Sequence, residues 1–218
     1  GSAPTNRWDQ PCDLAFYNVG ATRMLAVLDR GVDASNNPNA IWTVDPATGL
    51  LKQSTYNEAG ANQLVAPDSL AFGFGLGGNA NGMALLTASN EFLTIWEGDG
   101  ATANGVIAGW DTTTGANTRY IDTSASGVKF GVGIDVDPTT GRIWVADNVR
   151  QLHPLSVSAV PQIVSFPADG TLGSFSQELS FPITTPDPGR PDRTIRMTDP
   201  GLRFSPDGKF LVVADKAL

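Results

Sequence analysis

Histidine and cysteine are nearly missing from these 218 residues: there is one of each, His153 and Cys12. A lone cysteine cannot close an internal disulfide, so no disulfide framework holds the fold. With no histidine partner to name, Cys12 reads as a small buried residue of a first strand, not as a nucleophile. Charged residues are also sparse, at 17%, where about a quarter is usual. Positive charge is the scarcer sign: 14 Lys and Arg stand against 22 Asp and Glu, giving a net charge of −8. No window concentrates Lys or Arg, so a phosphate backbone would be repelled at long range and no nucleic-acid partner is expected. No apolar run is long enough to span a bilayer; Phe210 to Ala214 is strand-sized. Helical periodicity with caps is absent, and 24 glycines and 15 prolines break the chain too often for long helices.

What fills the gap is Gly, Ser, Thr and Asn, a balance that suits many short strands and turns. That composition leads us to expect a secreted or cell-surface protein, or a periplasmic one. Gly1-Ser2 reads as a tag remnant, and nothing after it resembles a signal peptide, which leaves a removed leader compatible. The chain is long enough for a well-buried core.

The most informative stretch is Gly131 to Asp147, GVGIDVDPTTGRIWVAD. Val132, Ile134 and Val136 alternate with small or acidic residues, then Ile143 and Val145 alternate with Trp144 and Ala146. Period-two alternation of this kind predicts two half-buried strands. Pro138 suits the second position of the turn between them, and Gly141 the positive φ at its end. The pattern returns at Gly201 to Asp215, GLRFSPDGKFLVVAD.

Two interleaved series of turns follow. One holds Asn18-Val-Gly-Ala, the glycine-rich Gly75 to Asn81, Asp137-Pro-Thr-Thr-Gly and Ser205-Pro-Asp-Gly. The other holds Asp45-Pro-Ala-Thr-Gly, Asp111-Thr-Thr-Thr-Gly and Pro167-Ala-Asp-Gly. Each series repeats after about sixty residues, so each unit carries two hairpins, or four strands. The predicted fold is an all-β propeller of four-stranded antiparallel blades, about three and a half in this chain. After an arm over 1–12, the partial propeller covers 13–218, with blades at about 13–58, 66–124 and 128–180 and a half blade at 199–218. In the second unit the predicted strands are Leu70–Phe74, Met83–Thr87, Val106–Trp110 and Thr118–Ile121, with Phe92 to Trp96 as an extra apolar segment. A β-sandwich is the structural rival, but it does not require hairpin pairs to recur in similar wording. A half blade leaves an apolar edge that would pair with something. We expect either a longer chain or another chain, identical or not, to complete the ring.

The segment GLRFSPDGKFLVVADKA resembles the lactonase family of seven-bladed propellers, which is similar to YVTN-type and gluconolactonase-like repeat proteins. Phe204 to Val213 matches the family's inner hairpin, Ile134 to Ala146 is a looser copy, and Asn39 to Leu51 (NAIWTVDPATGLL) resembles its outer hairpin. The resemblance implies a propeller with a central channel and, for enzymatic members, hydrolysis or cyclisation of a lactone-type small molecule. The family's enzymes use His, Arg and Glu lining that channel. The closing Glu-Lys of some members is Asp215-Lys216 here, and no catalytic set is carried over.

The candidate site residues come from strand ends and loops. Asp147 and His153 are the candidate catalytic pair, an acid and an imidazole able to activate water. Arg150 and Arg203, like Arg30, could grip a substrate carboxylate bidentately, the plainer reading being ion pairs with the excess acids. Asp29, Asp147, Asn148 and Asp215 end equivalent strands, and their oxygens would suit Ca²⁺ or Mg²⁺; equally, Asp terminates strands and caps turns. Asp13, Asp68 and Asp199, placed before the first strands, form a second acidic set. Gly73 to Gly82 lacks the Lys-Ser/Thr ending and following helix of a phosphate loop. The five tryptophans are expected to pack between blades. Two functions compete. One is a lactonase-like enzyme acting on a small molecule in the channel. The other is a non-enzymatic extracellular recognition or assembly propeller that binds another polypeptide, or a second copy, through its open edge.

Overall fold

A computed structural model describes residues 11–29, 40–49, 51–54, 80–96, 105–128, 131–147, 162–171, 174–180, 183–184, 194–195 and 201–214. Sheet one is formed by β1 (Pro11–Val19), β2 (Thr22–Asp29), β3 (Ala40–Val44) and β4 (Leu51–Ser54), each antiparallel to the next. Sheet two holds β5 (Ala80–Leu86), β6 (Glu91–Trp96), β7 (Val106–Asp111) and β8 (Asn117–Asp122) in the same order, followed by a 3-10 turn at Ser124–Ser126. Sheet three holds β9 (Gly131–Val136), β10 (Ile143–Asp147), β11 (Gln162–Phe166) and β12 (Ser176–Ser180). A small hairpin pairs β13 (Ile183–Thr184) with β14 (Thr194–Ile195), and β15 (Gly201–Phe204) pairs with β16 (Leu211–Ala214) as sheet four.

The sheets stack in succession. Tyr17, Met24, Ala26, Leu28 and Ile41 of sheet one meet Met83, Phe92, Trp96, Ala108 and Trp110 of sheet two. The opposite face of sheet two, with Leu93, Ile95 and Ile107, meets Ile134, Ile143, Val145 and Val164 of sheet three. Sheet three's far face places Ala146 and Ile163 against Leu202 of sheet four, with Trp144, Leu211 and Val213 alongside. Each fully buried aliphatic side chain in these layers contributes about 1.5–3 kcal/mol. First strands neighbour one another in sequence, β1 to β5, β5 to β9 and β9 to β15. They therefore lie along a shared axis, with the other strands running outward. A sandwich has one inner face per sheet; here sheets two and three are buried on both.

That double burial corrects the reading of the second unit. Phe92 to Trp96 is not an extra segment but β6, the second strand of its sheet, and Ala80–Leu86 is the first. Every residue of β6 is buried, so it shows no period-two signal. The inner turn of sheet two is accordingly Thr87–Asn90 and not the glycine-rich run; Asn90 supplies its positive φ, 56°. The proposed strand Leu70–Phe74 lies outside the described residues. The other predicted turns fall between the expected strands. In Asp137-Pro-Thr-Thr-Gly the carboxylate accepts from Thr139 N at 2.8 Å and Thr140 Oγ1 at 2.7 Å, and Gly141 at φ 71° returns its N–H to the Asp137 carbonyl at 2.8 Å.

Candidate functional site

The three complete sheets share a device near the axis. In each, the register slips by one residue after the first residue of the inner strand, leaving Cys12, Asn81 and Val132 bulged. Cys12 Sγ lies 3.6 Å from the carbonyl of Ala80, the first residue of the next inner strand, and Asn81 Nδ2 donates to the carbonyl of Gly131 at 3.3 Å, again the first residue of the next. Cys12 is therefore an exposed bulge residue, not the buried one expected. Its position on an irregular first turn of the strand takes it off the core face.

Around these bulges sits a cluster of charge. Asp13 lies inside β1, not ahead of it. One carboxylate oxygen accepts from Met83 N of β5 at 2.8 Å, and the other is paired with Arg203 of β15. Arg203 also donates to the carbonyl of Ile134 in β9 at 3.0 Å and to that of Leu202 at 2.8 Å. Asp135 of β9 accepts from Phe204 N of β15 at 2.6 Å. An inner strand has a free edge along the axis, and its backbone groups need partners. Here carboxylates take the N–H groups and the guanidinium takes a carbonyl. Burial pushes the carboxyls of Asp13 and Asp135 above their ordinary 3.8, even though Arg203 and the backbone donors pull the other way.

The predicted residues fall in two groups. Asp29 and Asp147 are buried and end equivalent strands, β2 and β10. Trp42 Nε1 donates to Asp29 at 3.2 Å, and Gln162 Nε2 lies 3.4 Å from Asp147 while also donating to Ser126 O at 3.2 Å. The same position in sheet two is Trp96, which packs toward sheet one. By strand alternation Asp147 thus stands on the face of sheet three that meets sheet two, whereas Asp29 stands on the face of sheet one turned away from sheet two. Arg203 is at the axis. His153, Arg150, Asn148 and Asp215, with Arg30, Asp68, Asp199 and Trp8, lie outside the described residues. Among the described residues no three His, Cys, Asp or Glu side chains gather closely enough to hold a metal ion. Four tryptophans are described: Trp42 is the donor to Asp29, Trp96 and Trp110 pack between sheets one and two, both donating to Thr94 Oγ1 at 2.8 Å, and Trp144 packs between sheets three and four. Asp135 was not singled out in the sequence. The available signal was its phase: it sits on the face opposite Ile134, where sheets one and two carry Ala15 and Ala84.

Radial sheets on a common axis, with inner strands tied to one another, define a β-propeller of four-stranded blades, about three and a half of them in this chain. A chain in the crystal structure of a nidogen–laminin complex is similar, with a TM-score of 0.56 and 17% identity over 94% of this chain and 56% of that one. Weaker likenesses join it to a chain of a mitotic checkpoint complex (TM-score 0.46, 18% identity, 94% of this chain and 46% of that one) and to the Dos1 propeller (0.45, 12%, 92% and 51%). This chain spans about half the length of these solved chains. Identities this low establish the fold alone. No family model and no curated protein matches the chain, so the resemblance to the lactonase family is carried by its hairpin motifs. Among the described residues no helix is long and apolar enough to cross a membrane.

Proposed function

We propose that this propeller is a recognition and assembly module that binds another polypeptide. One observation carries the reading: positions that form the core between neighbouring sheets are exposed on the two end sheets. Leu14 is equivalent in register to Met83, Ile134 and Leu202, all buried against the preceding sheet, yet it is 53% exposed, and Phe16 beside it 45%. Arg23 lies over the Phe16 ring, 4.1 Å from its centroid. At the other end Val212, equivalent to the buried Leu93, is 60% exposed and Phe210 is 68%. Grouped apolar exposure of this kind marks a contact surface, to be covered by further blades or by another polypeptide. That the similar nidogen–laminin chain comes from a complex of two proteins supports the same reading.

The catalytic alternative draws on Arg203, Asp13 and Asp135 at the axis, with a Ca²⁺ or Mg²⁺ ion at Asp147 and Asn148 as its further element. Against it, the three axial charges are held by one another and by backbone groups of the inner strands. Capture of a partner from the source proteome, identification and rebinding of that purified partner test the proposal. Leu14→Asp with Phe16→Asp should weaken rebinding by about tenfold or more while the melting temperature stays near the parent's. Turnover of any member of a lactone panel, abolished by Asp147→Ala, would replace binding with catalysis.

A further inference from the structure

The four inner strands share a register position that is glycine in three of them. Gly82 stands opposite Ile95, Gly133 opposite Ala146 and Gly201 opposite Ala214, whereas sheet one places Asp13 there, opposite Leu28. An inner strand therefore needs no side chain at this point, and the carboxylate of Asp13 is an addition to the common pattern. Three donors converge on it. Leu14 N donates to Oδ1 at 2.8 Å, Met83 N donates to Oδ2 at 2.8 Å, and Arg203 pairs with Oδ1. They belong to β1, β5 and β15, and the two amides occupy equivalent positions on adjacent inner strands.

The guanidinium is held in place without help from Asp13. Arg203 donates to the carbonyls of Ile134 at 3.0 Å and Leu202 at 2.8 Å, and lies 3.4 Å from that of Leu14. The neighbouring carboxylate does not replace Asp13 there, because Asp135 accepts from Val136 N at 2.9 Å and Phe204 N at 2.6 Å. A guanidinium and two backbone N–H groups fixed around one carboxylate are the components of an anion site.

We infer that the axis carries an anion-binding site that Asp13 occupies as a tethered competitor, so that an external organic anion enters only where Asp13 is neutral or displaced. The ligand class is a small organic acid stronger than aspartic acid, such as a sulfonate or a 2-oxo acid. A side chain attached beside the donors it engages acts at a high effective concentration, which keeps the site shut near neutrality. Acid opens it. Burial pushes the Asp13 carboxyl above its ordinary 3.8, against the pull of Arg203, Met83 N and Leu14 N, while the stronger acid stays ionised. Among the described residues the groups around Asp13 are Arg203 from β15, Leu28 from β2, Met83 from β5 and the Cys12 thiol of its own bulge; Asp135 of β9 shares the field of Arg203. β5 brings no titratable side chain. The site is separate from the polypeptide-binding surface proposed above and does not depend on it.

Asp13→Gly copies the other three sheets and frees the donors. Sodium acetate is titrated into this variant near neutral pH, against sodium chloride at equal ionic strength. Acetate should bind saturably, shift the Met83 and Leu14 amide and Arg203 Nε resonances in NMR spectra, and return part of the melting temperature lost with Asp13. The parent should bind acetate at least about tenfold more weakly at that pH. Methanesulfonate should bind the parent increasingly as pH falls through the range in which the Asp13 carboxyl carbon resonance titrates. Adding Arg203→Gln to Asp13→Gly should abolish acetate binding. Resonances in Asp13→Gly that acetate leaves unmoved, equal affinity in the parent, or acetate binding that survives Arg203→Gln would each overturn the inference. If Asp13→Gly folds poorly, the parent decides: methanesulfonate that fails to bind in acid overturns the inference.

Discussion

At the scale of single residues, the molecule depends on what its inner strands lack. Gly131 begins β9, and a Cβ there would fall 2.2 Å from Ile95 Cγ1 and 2.8 Å from Ile95 Cδ1; at Gly82 in β5 a Cβ would fall 2.7 Å from the Val132 carbonyl oxygen. These glycines let neighbouring blades approach near the axis, Gly82 admitting the inner strand β9 and Gly131 the second strand β6. Ile95 is fully buried, so it has no free space into which to turn. Gly131→Ala should destabilise the fold by about 1–3 kcal/mol through overpacking, read as a lower midpoint in urea. Ile95→Val in the same chain should return part of that loss. An additive double variant, with no recovery, would place the strain somewhere other than this contact.

At the scale of elements, turns and strands were legible to different degrees for a physical reason. A turn announces itself because Asp, Pro and Gly each do something local: in Asp111-Thr-Thr-Thr-Gly the carboxylate accepts from Thr113 N at 2.9 Å and Thr114 N at 2.7 Å, and Gly115 closes back on Asp111 at 2.9 Å. None of this depends on the rest of the molecule. β6 is the reverse case. Its six buried residues face two different sheets in alternation, Leu93 and Ile95 one way, Phe92 and Trp96 the other. Continuous burial removes the alternation by which a strand is recognised. The turn before it was hidden for a related reason, because Thr87–Asn90 contains no glycine, and Asn90 takes the left-handed conformation at φ 56°. Asn90→Gly should therefore keep or slightly raise stability, whereas Asn90→Val should lower it by about 1–2 kcal/mol, the cost of a β-branched residue at positive φ. Thermal unfolding decides it, and a neutral valine would mean the turn adopts another conformation. The axial cluster is partly legible: Arg203 and Asp13 stand out in the sequence as charges, but their pairing across 190 residues of sequence is a product of the ring and not of any local pattern.

For the molecule as a whole, carboxylates of opposite character tie the blades together, and pH separates them. Glu91 is pushed up by burial, but hydrogen bonds from Arg119, Ser89 and Thr118 outweigh this and hold its carboxyl below the ordinary 4.5. Arg119 in turn donates to the Ala168 carbonyl of the next blade's outer turn at 2.5 Å. A folded value below the unfolded one gives a contribution that is complete above 4.5 and is lost as pH falls through the folded value. Asp135 runs the other way. Burial raises it above 3.8, so its charge costs stability above the raised value, and protonation relieves that cost as pH falls toward 3.8. Glu91→Gln should lose about 1.5–3 kcal/mol near neutrality, and its gap from the parent should close in acid. Asp135→Asn keeps an oxygen for Phe204 N while removing the charge. Relative to the parent it should stand highest near neutrality and lose ground in acid. Urea midpoints measured from neutral pH down through the carboxylate range test both slopes together. Parallel curves for either variant would show that its carboxyl titrates alike folded and unfolded, and that the tie it makes between blades does not favour one protonation state.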